Sequence, residues 1–470
     1  MKINIQKLKV SIIYIVIFLC YNLVLHFVPN TSFETWVKTL AVFSIFLFWT
    51  DTLFFVLLRK KIVSVAYIFV ALSFLFHMGQ VILHAFFKDY NYIVTDFLKM
   101  YPEELTKSAL LFSINIIQIV VLFILLSTDS RKKREKRQPR FHKINNEQLK
   151  LIGWIMCIIT IPMKFIYIKT AINIVRDDTY VSSTVPGFSG VYIQISNFCI
   201  IAFVVMLFAY SYNKVKQKII LCIGLLFFLW SMLSGGRMYG VTSILILLLC
   251  YVHLSSTKVR FNSVTIIVAF GILLLQIITS ITYIRTTHNF NITSLVHYAF
   301  NPSNNFFLKV LDEFGGTQGT VIFTFDEVPR YLNFHKGKSY IKAWLLVGFN
   351  INGMLNQVSR EIAYTMLLSK KFNLGGSYIG ELYYNFGHFS YIFAAFIGVV
   401  IGKLSEISEY CLEKGLAIEF ALIVMPIYSS ISWIRGYFDS FPRAFVWGAI
   451  FVLCLYLISS KLNMKVKCKI

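Results

Sequence analysis

Arg237, Arg285, Arg360, Arg435 and Arg443 stand where chain topology does not call for a cation. Arg237 lies in "LWSMLSGGRMYGVTS", residues 229–243, where a Ser-Gly-Gly turn separates two strongly apolar runs. Arg435 and Arg443 bracket "RGYFDSFPR", and Arg285 directly follows another apolar run. A guanidinium keeps its charge and grips a phosphate with parallel N–H donors, so several at one depth suit a phosphate or diphosphate at a membrane surface. Any one of them alone is explained by snorkelling to the interface; the set is what points to an anion. Gly235 and Gly236 let the backbone of the Arg237 turn approach such a group, though two glycines also make an ordinary tight hairpin. A diphosphate is a good leaving group whose developing charge fixed cations stabilise without a metal.

Candidate proton acceptors form the second set of residues. Glu381, in "GGSYIGELYYNFGHFS" at 375–390, opens a run of apolar and aromatic residues, where a carboxylate is partly desolvated and suited to take a proton. The plainer reading is a helix-start glutamate answering the helix dipole. Other candidates are Asp177, Asp178, Asp312, Glu313, Asp326, Glu327, Glu361 and Asp439, with His288, His297 and His335; His288 is taken beside Glu381 as catalytic. Tyr383 and Tyr384 offer rings to a sugar face, with packing as their default role, and Asp439 lies inside the Arg435–Arg443 hairpin, so all three join the substrate-binding set. Asp51, Lys164 and Lys169 interrupt apolar runs and are expected to pair between helices, and His77 and His84 stand two helical turns apart on one face. No phosphate loop, dinucleotide fingerprint, nucleophile elbow or zinc-type Cys/His spacing is present, and nothing calls for a metal or cofactor.

The elements that must position these residues are membrane helices. Of the 470 residues, 57% are hydrophobic and only 14% charged, a balance that a water-soluble surface does not carry. A span needs roughly 20 apolar residues, and by that measure about twelve runs qualify: 8–28, 36–58, 62–86, 106–127, 149–175, 190–212, 218–234, 238–256, 262–284, 379–403, 416–434 and 444–462. Stretches such as "IVAFGILLLQIITSI" are apolar all round, which excludes a barrel's alternation and makes the chain an all-α polytopic membrane protein.

With both termini in the cytoplasm, the clusters "RKK" at 59–61, "RKKREKRQPRFHK" at 131–143, "NKVKQK" at 213–218 and "TKVR" at 257–260 all fall inside. The net charge of +23 is then a topology signal with attraction to membrane lipids, and the basic loop at 128–148 needs no nucleic-acid partner. The eight cysteines lie in spans or on the cytoplasmic side, leaving no exterior disulfide framework. The whole chain, 1–470, reads as a single transmembrane domain with one long exterior segment, 285–378. There "NPSNNFFLKVLDEFGG" places Phe306, Phe307, Val310, Leu311 and Phe314 on one helical face before Gly315 and Gly316 stop it, and "INGMLNQVSREIAYTMLLSKKF" repeats the pattern. Short amphipathic helices capping a cavity are expected.

The architecture, the Gly-Gly-Arg turn at 235–237, "GGSYIGELYYNFGHFS" and "RGYFDSFPR" resemble the Wzy-type O-antigen polymerases. The resemblance implies a multi-pass enzyme of the bacterial inner membrane, similar in fold to the O-antigen ligases and the GT-C glycosyltransferases. It implies polymerisation of undecaprenyl-diphosphate-linked oligosaccharide repeat units into O-antigen or capsular polysaccharide at the periplasmic or outer face, with a chain-length-regulating membrane protein as a partner. The ligases imply a loop histidine, which none of His288, His297 and His335 matches by motif. An O-antigen ligase, chemically the same class, and a lipid-linked oligosaccharide flippase are the alternatives; the long exterior segment argues against the second.

Overall fold

A computed structural model describes residues 5–27, 32–59, 63–92, 95–127, 141, 144–177, 187–234, 237–255, 276, 280, 293, 298, 305–348 and 375–467. These form α1 (Ile5–Phe27), α2 (Phe33–Arg59), α3 (Val65–Phe86), α4 (Glu103–Ser127), α5 (Asn146–Asp177), α6 (Gly190–Asn197), α7 (Cys199–Ala209), α8 (Lys214–Met232) and α9 (Arg237–Leu254). After them come α10 (Phe306–Gly315), α11 (Thr317–Glu327), α12 (Lys338–Leu345), α13 (Tyr378–Phe386), α14 (Ser390–Lys414), α15 (Ala417–Trp433) and α16 (Ser440–Lys467). Among the described residues there is no strand, and nine helical segments are long and apolar enough to cross a membrane, with two shorter apolar helices, Lys9–Leu25 and Ala417–Trp433. The chain is an all-α, multi-pass membrane protein. Apart from residues 276 and 280, the expected span at 262–284 lies outside the described residues, as does the helix expected within 351–372.

The chain packs as two compact units. The first comprises 1–137, 307–407 and 433–443; the second comprises 138–306, 408–432 and 444–470. In the first, α2 packs on α3 and α1 on α4, while α11 packs against α3, α4 and α13. In the second, α5 packs on α6 and α7, and α8 on α7 and α9.

Two expectations change in the first unit. The run from Val310 to Thr324 is buried without interruption, so α10 and α11 belong to the unit's core and do not lie over its surface. Gly315 and Gly316 end α10 as expected, and Gly315 also meets α3: a Cβ there would stand 2.2 Å from the Gln80 backbone nitrogen, and one on Gly79 would stand 2.7 Å from the Leu311 carbonyl. Two glycines thus let two helix backbones touch, a reason for glycine that a stop signal does not reveal. The expected span 379–403 is likewise two helices, since Gly387 takes φ +54° between α13 and α14. Ser390 Oγ closes that corner by donating to the Leu382 carbonyl at 2.9 Å.

The buried charges also differ from expectation. Asp51 accepts from Gln118 Nε2 at 2.9 Å, and Tyr14 donates to Gln118 Oε1 at 2.5 Å. In the second unit Lys164 donates to Asn197 Oδ1 at 2.7 Å and lies 3.7 Å from the Tyr239 ring centre, while Lys169 is exposed. Asp51 and Lys164 each meet amides or rings inside their own unit, in place of the acid–lysine pair.

Candidate functional site

The site is assembled at the start of α13. Ser377, extended at φ −153° and ψ 126°, caps that helix by accepting from the Gly380 N–H at 3.3 Å. His77 of α3 holds the cap: its Nδ1 donates to the Ser73 carbonyl at 2.9 Å, which leaves Nε2 to accept from Ser377 Oγ at 2.8 Å. The preceding Gly375 carbonyl accepts from Thr320 Oγ1 of α11 at 2.9 Å. The helix start is therefore pinned from two sides, and the first-turn acid it presents is Glu381, 1% exposed.

One oxygen of that acid, Oε2, accepts from the Trp433 indole N–H at 2.6 Å and from the Phe438 backbone N–H at 3.1 Å. Arg435 lies on the turn between those two donors, so one carboxylate grips the chain on both sides of the arginine. The turn packs on the residues before α13 through glycine. A Cβ on Gly376 would stand 2.2 Å from the Gly436 carbonyl, and one on Gly375 would stand 3.3 Å from both Cγ and Nε of Arg435. The half-buried guanidinium has its Cζ 5.9 Å from the Phe76 ring centre. Tyr340, Tyr378, Trp433 and Phe438 form an aromatic cluster around the two donors, with Phe438 5.0 Å from both Tyr340 and Trp433, centre to centre. Two of the three patches that carry the family resemblance, 375–390 and 435–443, are thus packed against each other.

The far side of the hairpin is tied down as well. Arg443 Nε donates to the Leu346 carbonyl at 2.8 Å, which joins the hairpin to the segment following α12. Asp439 lies within electrostatic range of Glu381 and Arg443. Burial pushes its carboxyl above the ordinary range, against the Ser440 N–H and the Arg443 charge, which pull it down. Tyr383 stacks on Phe325 with centres 3.7 Å apart, and Tyr384 stacks on His335 at 5.4 Å, whose backbone N–H donates to the Tyr384 carbonyl at 3.0 Å. Both tyrosines are buried.

Glu381, Arg435, Arg443, Asp439, Tyr383 and Tyr384 therefore all belong to the first unit. Arg237 opens α9 in the second unit. Gly235, Gly236, Arg285, His288, His297, Arg360 and Glu361 lie outside the described residues. Arg330 is a surface residue, 3.7 Å from Asp326 and 5.0 Å from the Tyr331 ring centre. Asp312, one of the acids weighed as a base, accepts from Gln80 Nε2 at 3.1 Å in the core. Sequence reasoning misses Trp433 and Ser377, and notes His77 only as one of two histidines on a helical face. The signal for Trp433 is its place in "SWIRGYFD", two residues before Arg435 at the end of an apolar run, where a buried indole N–H requires an acceptor.

Comparison with curated proteins and with solved structures gives no match. Comparison with protein families does: O-antigen polysaccharide polymerase Wzy matches residues 9–467, nearly the whole chain, including both patches that build the Glu381 site. The chain belongs to the O-antigen polysaccharide polymerase Wzy family, multi-pass membrane proteins that polymerise O-antigen repeat units.

Proposed function

We propose that the chain transfers a glycan from undecaprenyl diphosphate to a sugar hydroxyl of a second lipid-linked repeat unit, at the periplasmic or outer face of the bacterial inner membrane. In this reaction the acceptor oxygen bonds to the anomeric carbon of the donor. The bond from that carbon to the diphosphate oxygen breaks, its electron pair leaves with the diphosphate, and the hydroxyl proton passes to Glu381. Arg435 and Arg443 stabilise the diphosphate charge as it develops, and Arg237, Arg285 and Arg360 are kept as diphosphate-binding candidates. His288 stands as the other catalytic candidate, and Tyr383, Tyr384, Asp439, Gly235 and Gly236 are assigned to the substrate. A chain-length-regulating membrane protein is the expected partner.

The observation that carries this reading is the grip of Glu381 on the N–H groups of Trp433 and Phe438. It couples the proposed proton acceptor to the proposed anion-binding arginine through a single short turn, so that proton removal and charge stabilisation share one geometry. The test is polymerisation by the purified protein with synthetic lipid-linked repeat units. Arg435→Ala removes a charge-assisted contact of about 1.5–3 kcal/mol, which slows polymerisation roughly ten- to a hundredfold. Arg435→Lys restores part of the loss, because the charge returns without the fork. Parental rates in Arg435→Ala contradict the assignment.

The near-complete burial of Glu381 favours a second reading, in which the carboxylate only anchors the Arg435 turn and another group takes the proton. Glu381→Gln separates the two, since a glutamine oxygen still accepts from both donors but takes no proton at neutral pH.

A further inference from the structure

His84 stands seven residues beyond His77 on α3, about 10 Å farther along the helix axis and on the same face. It lines a cavity of about 270 Å³ with Glu34, Lys38, Lys88, Tyr92 and Lys99, all in the first unit. Lys88 pairs with Glu34. Lys99 Nζ lies 3.8 Å from Asp96 Oδ2, the same oxygen that His84 Nδ1 approaches at 3.3 Å. Three lysines face two carboxylates, so the lining is net cationic, and the Lys88 and Lys99 side chains are 67% and 66% exposed, free to reorient toward a ligand.

Depth and flanks narrow the ligand. The cavity opens where α2 begins and α3 ends, the level at which spans meet the headgroups. Phe86, Phe87 and Met100 are exposed next to Lys88 and Lys99, so apolar surface for hydrocarbon adjoins charge for water, with Tyr92 between as an interfacial aromatic. The positive-inside reading places this end outside, where topology does not call for lysine, so three converging lysines answer to something else. The volume is just below the range for a drug-sized ligand and matches a small anionic group.

We propose that this cavity binds the phosphate of a lipid headgroup. The inference draws on the membrane placement of α2 and α3, and its test reads binding, so it stands or falls apart from the reaction assigned to Glu381. Two lipids carry the chemistry, the diphosphate of a lipid-linked glycan and an anionic phospholipid. The full chain, purified in non-ionic detergent, is titrated with undecaprenyl diphosphate and, separately, with phosphatidylglycerol, and bound lipid is read by native mass spectrometry. All proteins carry Arg435→Ala, which weakens the anion site proposed above, so that the lysine variants are compared against a lowered background. The triple variant Lys38→Gln, Lys88→Gln, Lys99→Gln weakens binding of at least one lipid by roughly tenfold or more, as expected for lost charge-assisted contacts. The control Lys214→Gln, Lys216→Gln, Lys218→Gln, at the start of α8, changes neither. Loss confined to undecaprenyl diphosphate identifies a glycan carrier, loss confined to phosphatidylglycerol a bulk phospholipid, and loss of both a general headgroup site. Should the triple variant unfold, the exposed Lys99→Gln alone carries the comparison. Parental affinity for both lipids in the folded variant overturns the proposal.

Discussion

Glu381 shows how one residue can serve geometry and chemistry together. Its Oε2 fixes Trp433 and Phe438, and through them Arg435. If Glu381 also takes the proton, Glu381→Gln lowers turnover by about two to four orders of magnitude while the protein still binds lipid-linked substrate; parental turnover assigns the residue to anchoring alone. Trp433→Phe removes one donor to a buried carboxylate and is expected to lower thermal stability by about 1.5–3 kcal/mol, measured by unfolding in detergent; an unchanged midpoint shows that the bond contributes nothing net. Asp439 supplies a prediction in pH. Its carboxyl is raised in the fold, so the folded state holds that proton more tightly than the unfolded chain. Stability from this group is therefore fully present below the unfolded carboxylate pKa of about 3.9 and falls as pH rises through the higher folded value. Asp439→Asn flattens that fall, read as unfolding temperature against pH; an identical slope in the variant shows that another group produces it.

Helix packing in the first unit turns on glycine contacts that pattern alone does not announce. Gly376 and Gly436 bring the start of α13 against the Arg435 turn, and Gly79 and Gly315 bring α3 against α10. Gly376→Ala forces a Cβ to 2.2 Å from the Gly436 carbonyl, so the turn must shift. The expected result is about 1–3 kcal/mol of destabilisation with a loss of polymerisation matching that of Arg435→Ala. Gly348→Ala, whose nearest neighbour is the Leu345 carbonyl at 3.6 Å, changes neither. Equal behaviour of the two variants contradicts the close contact. The helices themselves were legible because apolar runs of spanning length admit one element type. The burial of α11 was not, because periodicity identifies an apolar face without naming what covers it, and the partners of Thr320 and Gln318, at Gly375 and Ser113, are distant in sequence. The break at Gly387 was hidden for a related reason: a glycine within an apolar run signals close packing as readily as a change of direction.

Across the whole molecule, membrane class and family follow from features spread along the chain, which is why composition and three short patches were enough to suggest them and the match over 9–467 agrees. The site was only half legible. Glu381 and Arg435 carry their own signals, an acid in an apolar run and a cation at its end, but their union through Trp433 depends on residues 52 positions apart. Topology remains an expectation with a direct check. In a background lacking the eight native cysteines, Tyr331→Cys is labelled from outside intact cells and Lys214→Cys only after the membrane is opened. The reverse pattern inverts the orientation and moves the proposed reaction to the cytoplasmic face. The central claim, that the Arg435 turn held by Glu381 is where lipid-linked repeat units are joined, has one direct measurement. Purified parent and Arg435→Ala are reconstituted with synthetic undecaprenyl-diphosphate-linked repeat units, and product length is followed over time. The account predicts a ladder of lengthening glycans from the parent and a rate roughly ten- to a hundredfold lower from Arg435→Ala at equal folded protein. Ladders that grow at the same rate contradict it.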